Sequence, residues 1–243
     1  MPAEPASWSD PRLTGTRFTD VRWFTVVDST NRYLLDLAAM DTPEGVVAVA
    51  DEQTAGRGRL DRSWVAPPGA ALLVSVLLRP PLPAERRHLV TLAAAVAALD
   101  ALDELAPAAP VRVKWPNDLV IDDRKVAGIL AESDGNGAIV VGMGMNVRGD
   151  WFPPALAAIA DAVDVDRVEL LVAWLRAYDA RLDALDDVVD LVTARSATIG
   201  HLVRVELGDE TITGTAERLT PEGYLVIEGR VITAGDVVQV RAG

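Results

Sequence analysis

Two arginines in a short polar loop are the residues best suited to binding an anion. The loop Gly56-Arg57-Gly58-Arg59 follows an apolar, β-branched run at 46–50 that predicts a buried strand. Planar guanidinium groups bind phosphates and carboxylates through paired hydrogen bonds, and glycine lets the backbone approach a ligand closely. By itself the pattern is equally typical of a solvated surface turn. It predicts an anion site only in combination with other segments.

Lys114 is a second candidate cation, in the Lys-Trp-Pro-Asn-Asp segment at 114–118. In a strand over 111–115 side chains alternate between faces, so Arg112 and Lys114 share the face opposite Val113. A strand lysine is usually a surface charge. Here the rigid aromatic-proline turn that follows would hold the ammonium group in a pocket, so Lys114 is a candidate site residue.

Several established catalytic motifs are absent from the sequence. The segment Gly-Met-Gly-Met-Asn-Val at 142–147 resembles a dinucleotide fingerprint, but Val147 stands where the third glycine is required. No Walker-type phosphate loop and no Gly-x-Ser-x-Gly nucleophile elbow occurs. A nucleotide would therefore have to be held in another way.

Composition and charge limit the function further. The chain has 243 residues, 50% of them hydrophobic, enough for one core and a small companion domain. Its 23 basic and 36 acidic residues give a net charge of −13, without the basic footprint of a DNA-binding protein. With no cysteine, a thioester relay and a thiolate metal site are excluded. The two histidines, His88 and His201, are too far apart to suggest a metal site.

The first ten residues and the apolar runs do not predict membrane targeting. Residues 1–10 have neither the basic nor the apolar region of a signal peptide. The longest apolar runs, such as 70–78, are too short to span a bilayer and are typical of buried strands. We therefore expect a cytoplasmic protein that does not bind membranes.

The elements that must position these residues alternate between strand and helix. Helical patterns lie at 31–40, 88–105, 154–160 and 168–185, and strand patterns lie at 21–27, 46–50, 72–78, 111–115, 119–121, 125–130 and 138–141. From about 197 the pattern changes to short β-runs separated by turns, which predicts a compact barrel. The expected fold class is α/β: a mixed sheet with packed helices, then a small β-barrel.

Five segments, in this order and spacing, make the chain similar to one known family. They are Ser29-Thr30-Asn31, the Gln-Thr-Ala-Gly-Arg-Gly-Arg loop at 53–59, Lys-Trp-Pro-Asn-Asp at 114–118, Lys-Val-Ala-Gly-Ile-Leu at 125–130 and the segment at 142–147. Together they resemble the biotin protein ligase family, from about Val21 to the end of the chain. The resemblance implies a catalytic domain at 17–195 and an SH3-like domain at 196–243. Before them, the Pro-, Ser- and Ala-rich composition predicts a flexible tail at 1–16.

The resemblance also implies a role for each candidate site residue. The catalytic residues implied are Lys114, Arg57 and Arg59. The biotin-binding residues implied are Ser29, Thr30, Asn31, Gln53, Gly56, Arg57, Gly58, Arg59, Lys114 and Gly128. The nucleotide-binding residues implied are Arg57, Arg59, Trp64, Asn117 and Asn146. No metal site is expected on the protein itself.

The activity implied is ATP-dependent attachment of biotin to a protein. Biotin would be activated as biotinyl-5'-AMP with release of pyrophosphate, then transferred to the acceptor lysine of a biotin carboxyl carrier domain. ATP and biotin would be substrates, with Mg²⁺ on the phosphates. A chain without cysteine is consistent with direct transfer. The arginine loop is expected to be disordered without ligand and to close over the adenylate.

Other activities remain open at this stage. A lipoate or octanoate ligase would share the fold and the acyl-adenylate chemistry, and a non-catalytic biotin-binding module would keep only the pocket. Some family members repress transcription through an N-terminal helix-turn-helix domain, but the roughly twenty residues before the catalytic pattern are too few for one. We therefore expect a monofunctional ligase that does not bind DNA, as a monomer or weak homodimer.

Overall fold

An eight-stranded mixed sheet forms the larger part of the molecule. The structure is a computed structural model and describes residues 4–60, 62–207, 210–233 and 235–239. The strands of this sheet are β1 (Ala6–Trp8), β2 (Asp20–Val27), β3 (Val46–Gln53), β4 (Ala71–Leu78), β5 (Arg112–Lys114), β6 (Asp118–Ile121), β7 (Arg124–Ser133) and β8 (Ile139–Asn146). Their order is β1-β2-β3-β4-β8-β7-β6-β5. The β2 and β3 strands run parallel, and the other neighbours run antiparallel.

Helices cover both faces of this sheet. They are α1 (Thr30–Ala38), α2 (Leu89–Leu105), α3 (Pro154–Ala157), α4 (Arg167–Asp183) and α5 (Val188–Ala194). The apolar side chains of α1 pack on one face of β3 and β4, around Phe24, Leu34 and Leu73. Helix α2 is buried between the other face and α4, which explains why it is apolar almost all round. Because both faces are covered, every residue of β4 is buried.

A small antiparallel sheet follows the larger one. It contains β9 (Leu202–Leu207), β10 (Glu210–Leu219), β11 (Leu225–Ile227), β12 (Arg230–Ile232) and β13 (Asp236–Gln239), in the order β12-β11-β10-β9-β13. Its turn at 221–224 packs on the larger part, where Trp115 Nε1 donates to the Gly223 carbonyl (3.0 Å) and His88 stacks on Tyr224 (4.7 Å). The predicted fold class, a mixed sheet with helices and then a small β-unit, is confirmed.

The N-terminal segment differs from the flexible tail predicted at 1–16. Residues Ala6–Trp8 form the edge strand β1, and Trp8 packs on Trp23 with ring centroids 5.9 Å apart. Arg12 then bonds both Asp10 and Glu169 of α4, and its guanidinium lowers the pKa of Asp10 to about 2. Three residues are too few for alternation to be visible in a Pro- and Ala-rich sequence. Residues 1–3 lie outside the described residues.

Other differences from the predicted elements are small. Strand β8 continues through 142–146, which the sequence pattern placed after the strand, and α5 and β12 were not predicted. The predicted boundary between residues 195 and 196 stays a prediction. Among the described residues, no helix has both the length and the apolar character required to cross a bilayer.

Candidate active site

Three polar residues are buried where helix α1 begins. Ser29 precedes the helix, and its hydroxyl accepts a hydrogen bond from the Arg32 N–H (3.4 Å), a normal N-cap. Thr30 and Asn31 form the first turn, and all three of these polar side chains are at most 5% exposed. Buried polar groups need hydrogen-bond partners. Capping of the helix alone does not explain why Thr30 and Asn31 are buried.

Their partners lie on the two neighbouring strands β3 and β4. Gln53 Oε1 accepts from the Thr30 backbone N–H (2.8 Å) and from its hydroxyl (3.1 Å). Ser75 shares a hydrogen bond with the Thr30 hydroxyl (2.7 Å) and donates to Asn31 Oδ1 (2.6 Å). Ser75 was not predicted as a site residue. The available signal was one hydroxyl at the centre of an otherwise apolar strand.

The arginine loop is a tight hairpin that requires glycine. The Trp64 N–H donates to the Gly56 carbonyl (3.0 Å), and the Gly58 N–H donates to the Arg62 carbonyl (2.7 Å). A Cβ on Gly56 would lie 2.4 Å from the Trp64 carbonyl oxygen, so no other residue fits there. The glycines therefore allow the tight backbone path of the hairpin that carries Arg57.

Each loop arginine has an anchored guanidinium. Arg57 Nη2 donates to Glu132 Oε2 (2.7 Å). Arg59 Nη1 donates to Asn117 Oδ1 (2.9 Å), and its Nη2 donates to the Gly235 carbonyl of the small sheet (3.3 Å). Asn117 in turn donates to the Ile129 carbonyl (2.8 Å). Arg57 is therefore held against β7, and Arg59 is held against the turn before β6 and the small sheet.

The structure places Lys125, and not Lys114, beside the loop. Lys114 is half-buried on the edge strand β5, opposite Asp118, and it does not line the cavities described below. Lys125 is the second residue of β7, and its Nζ lies 2.7 Å from Asp118 Oδ1 and 5.7 Å from the centroid of the Trp64 ring. The sequence contained this lysine in a recognised segment, but the choice between two lysines eleven residues apart depends on how the hairpin folds.

Three glycines of β7 and β8 make room for these side chains. A Cβ on Gly142 would lie 2.1 Å from Asn31 Oδ1, one on Gly144 would lie 2.6 Å from the Trp64 ring, and one on Gly128 would lie 2.9 Å from Lys125 Nζ. Cβ atoms do not approach other atoms this closely. Gly142 and Gly144 therefore explain the alternating glycines at 142–146, which the sequence analysis left without a role.

Two cavities meet at Trp64 and Lys125. The first encloses about 50 Å³ and is lined by Ser29, Thr30, Asn31, Gln53, Arg57, Gly58, Trp64, Val74, Asn117, Lys125, Gly128, Ile129, Leu130, Gly142, Met143 and Gly144. The second encloses about 570 Å³ and includes Arg59, Trp64, Asn117, Asp118, Lys125, Asn146 and Trp151. Trp64 Nε1 is buried without a hydrogen-bond partner among the described residues. A small polar slot thus opens beside a larger, more apolar chamber.

The predicted residues divide clearly by position. Ser29, Thr30, Asn31, Gln53, Arg57 and Gly128 line the first cavity, and Arg59 and Asn146 line the second. Gly58, Trp64 and Asn117 line both. Gly56 and Lys114 line neither of these two cavities. Gly56 contributes to the hairpin, where its carbonyl accepts from the Trp64 N–H. Asn146 donates to the Asp161 carbonyl (3.0 Å), so it shapes the wall of the second cavity.

The acidic residues near the cavities do not form a metal cluster. Among the described residues, no group of three or more histidine and carboxylate side chains could hold a metal ion. Among the residues that the structure describes, Asp118 is the carboxylate that lines the second cavity, and its Oδ1 is paired with Lys125. The other polar groups that line the two cavities include cations, amides and an indole.

Two models of known protein families match this chain, one over most of the larger part and one over the small sheet. The model of the biotin/lipoate A/B protein ligase family matches residues 23–150, and the model of the biotin protein ligase C-terminal domain matches residues 198–238. These ranges contain the helix-start turn, the arginine hairpin, Lys125 and the small sheet. The chain belongs to the biotin protein ligase family.

Relatives within the biotin protein ligase family match most of the chain. A biotin–[acetyl-CoA-carboxylase] ligase of Mycobacterium tuberculosis is 37% identical over 230 residues, which cover 88% of this chain and 86% of the relative. A bifunctional ligase/repressor BirA of Bacillus subtilis is 32% identical and matches 84% of this chain but 67% of its own length. The solved biotin protein ligase of Aquifex aeolicus in complex with biotin and ATP is 28% identical, covers 91% of this chain and 99% of its own, and has a TM-score of 0.79.

Proposed function

We propose that this protein is an ATP-dependent biotin protein ligase. It activates biotin as biotinyl-5'-AMP, releases pyrophosphate, and transfers biotin to a lysine of a biotin carboxyl carrier domain. The observation that carries the proposal is the junction of the two cavities, where Trp64 and Lys125 line both. A carboxylate that attacks a phosphate must approach another anion, and a cation fixed where the two cavities meet stabilises that approach.

The first cavity suits the ureido head of biotin. Ser29, Thr30, Asn31 and Gln53 supply short, rigid hydrogen-bonding groups, and Gly128, Gly142 and Gly144 leave room for a flat ring system. A small number of fixed polar groups is what orients a small ligand. At about 50 Å³ the cavity is smaller than the usual 300–1,000 Å³ ligand site, so the hairpin or Trp64 must move to admit biotin.

The second cavity suits ATP. Trp64 and Trp151 offer aromatic faces for a base. Arg59 and Lys125 supply positive charge in this cavity, and Lys125 also lines the first one. Magnesium would enter as the ATP complex, held mainly by phosphate oxygens with few protein ligands. Asp118, the carboxylate in this cavity, is consistent with that small contribution.

The cations lower the barrier to adenylation. A biotin carboxylate oxygen attacks the α-phosphorus of ATP, and pyrophosphate leaves as the new anhydride bond forms. Two anions must approach each other, so preplaced positive charges reduce their repulsion and stabilise the charge that builds in the transition state. We assign this role to Lys125 with Arg57 and Arg59. Lys114, which the family resemblance suggested, lies one strand beyond Asp118.

The second step needs no enzyme nucleophile. The amine of the carrier lysine attacks the carbonyl carbon of the adenylate, the amide bond forms, and AMP leaves. The absence of cysteine is consistent with this direct transfer. Water must be kept out until the carrier arrives, which we assign to closure of the arginine hairpin over both cavities.

The deciding experiment is exchange of labelled pyrophosphate into ATP by the purified protein with magnesium. We expect exchange that depends on biotin and is not supported by lipoate. Exchange with lipoate instead would favour a lipoate ligase. A folded protein that binds biotin but exchanges with neither acid would be a binding module, and the proposal would fail.

A further inference from the structure

Glu132 places a negative charge beside Arg57, at a site proposed to bind anions. Its side chain on β7 is 24% exposed and pairs with Arg57, whose Nη2 lies 2.7 Å from Oε2. Arg57 lines the first cavity and is assigned above to an anionic substrate. A negative charge next to that guanidinium repels the biotin carboxylate and the phosphates. Such an arrangement requires a compensating function.

The same oxygen of Glu132 holds a second residue of the cavity. Asn31 Nδ2 donates to Oε2 (2.8 Å) and to the Leu130 carbonyl (3.2 Å). This orientation turns Asn31 Oδ1 toward Ser75, which donates to it. The Asn31 amide can be rotated so that either its oxygen or its nitrogen faces Ser75. Because the Glu132 carboxylate can only accept, it bonds the amide nitrogen and leaves the amide oxygen facing Ser75.

These bonds join the hairpin to the buried network. The chain of contacts runs from Gln53 through Thr30, Ser75, Asn31 and Glu132 to Arg57. Glu132 itself is not among the residues that line the first cavity, whereas Arg57 and Asn31 are. One nitrogen of the Arg57 guanidinium bonds Glu132, and a guanidinium has five N–H donors, so others can face a ligand.

We propose that Glu132 is a positioning residue for the biotin ligase reaction: it holds Arg57 over the cavity and ties the arginine hairpin to the residues that recognise biotin. This inference rests on the proposed function. It assigns Glu132 no contact with substrate. Its contribution is the order of the hairpin, and with it the retention of the adenylate until a carrier lysine arrives.

Electrostatics and positioning predict opposite results for Glu132→Gln. If charge alone mattered, removing the carboxylate would make the site more positive and lower the KM for biotin. If Glu132 positions Arg57, the KM rises by about tenfold, the factor that corresponds to losing one charge-assisted hydrogen bond. Bound adenylate should also be lost to solvent faster by a similar factor. In an Arg57→Ala background, Glu132→Gln should add much less, because the group it positions is gone.

The matched control is Glu169→Gln, which neutralises a glutamate paired with Arg12 at 2.7 Å far from the cavities. We expect its KM for biotin and its adenylate lifetime to equal those of the unmodified protein. Thermal unfolding of both variants checks that each is folded. A KM for biotin that falls or stays constant in Glu132→Gln would overturn the inference.

A second measurement does not depend on adenylation. Thermolysin cleaves before large apolar residues, and Leu60 in the hairpin is 66% exposed. We expect faster cleavage within 57–65 of the unliganded Glu132→Gln variant than of Glu169→Gln. Equal cleavage rates in the two variants would contradict the positioning role of Glu132, even if the protein were an active ligase. Faster cleavage in a protein without exchange activity would support the positioning role while the proposed function failed.

Discussion

At the scale of single residues, the site is defined by which polar groups are buried and what they bond. Ser29, Thr30 and Asn31 could each be a plain helix cap, and Ser29 is one. Their burial with Gln53 and Ser75 is what indicates a ligand slot. The sequence contained all these residue types, but Gln53 and Ser75, which bond Thr30, lie 23 and 45 positions further along the chain.

The two lysines make a direct test at this scale. We expect Lys125→Ala to reduce biotin-dependent pyrophosphate exchange by about a hundredfold or more, since removing one fixed charge at a transition state costs about 3 to 4 kcal/mol. Lys114→Ala should lose far less, because its side chain lies outside both cavities. A larger loss for Lys114→Ala than for Lys125→Ala would restore the assignment made from the family resemblance.

At the scale of elements, the β7–β8 pair is the floor of the site. Register places Gly128 opposite Gly144 and Leu130 opposite Gly142, so the missing side chains lie together on the face that α1 and Trp64 cover. Short glycine-containing segments at 142–147 resemble a nucleotide loop when spacing alone is considered. The strand that they form is recognisable only once its neighbours are known.

Gly144→Ala tests this floor. The added Cβ would lie 2.6 Å from the Trp64 ring, which must shift away from β8. We expect biotin-dependent pyrophosphate exchange to fall by at least about tenfold, equivalent to roughly 1.4 kcal/mol, in a protein that stays folded. Gly149→Ala is the control, because its Cβ would meet Phe152 at an ordinary 3.4 Å. Comparable pyrophosphate exchange by the two variants would mean that Trp64 has no fixed position on β8.

At the scale of the whole molecule, the small sheet is fastened next to the site. Arg59 donates to the Gly235 carbonyl, and Trp115 donates to the Gly223 carbonyl from within the buried core. The segment at 114–118 that the resemblance brought into the site therefore also forms the contact between the two parts. A monomer or weak homodimer stays a prediction, for which sedimentation equilibrium is the measurement.

Trp115→Phe tests that contact. It removes the donor to the Gly223 carbonyl and leaves a buried acceptor unpaired, which costs about 1–3 kcal/mol. We expect faster hydrogen exchange in β9 and β10. Trp174→Phe is the control, because it removes a similar bond to the Ala94 carbonyl inside the larger part and should act on α2 and α4. Unchanged exchange in the small sheet of Trp115→Phe would show that other contacts hold it.

The sequence by itself determined the fold class, the positions of most strands and helices along the chain, the anionic nature of the substrates and the family. These follow from local periodicity, glycine and arginine chemistry, and the spacing of five segments. Only the tertiary structure decided that Lys125 replaces Lys114 at the cavity, that Ser75 and Glu132 complete the network, and that residues 6–8 join the sheet. The physical reason is that strand register and hairpin geometry bring together groups far apart in the sequence, such as Asn31 and Glu132, which are 101 positions apart. A one-residue slip in register turns a side chain to the opposite face.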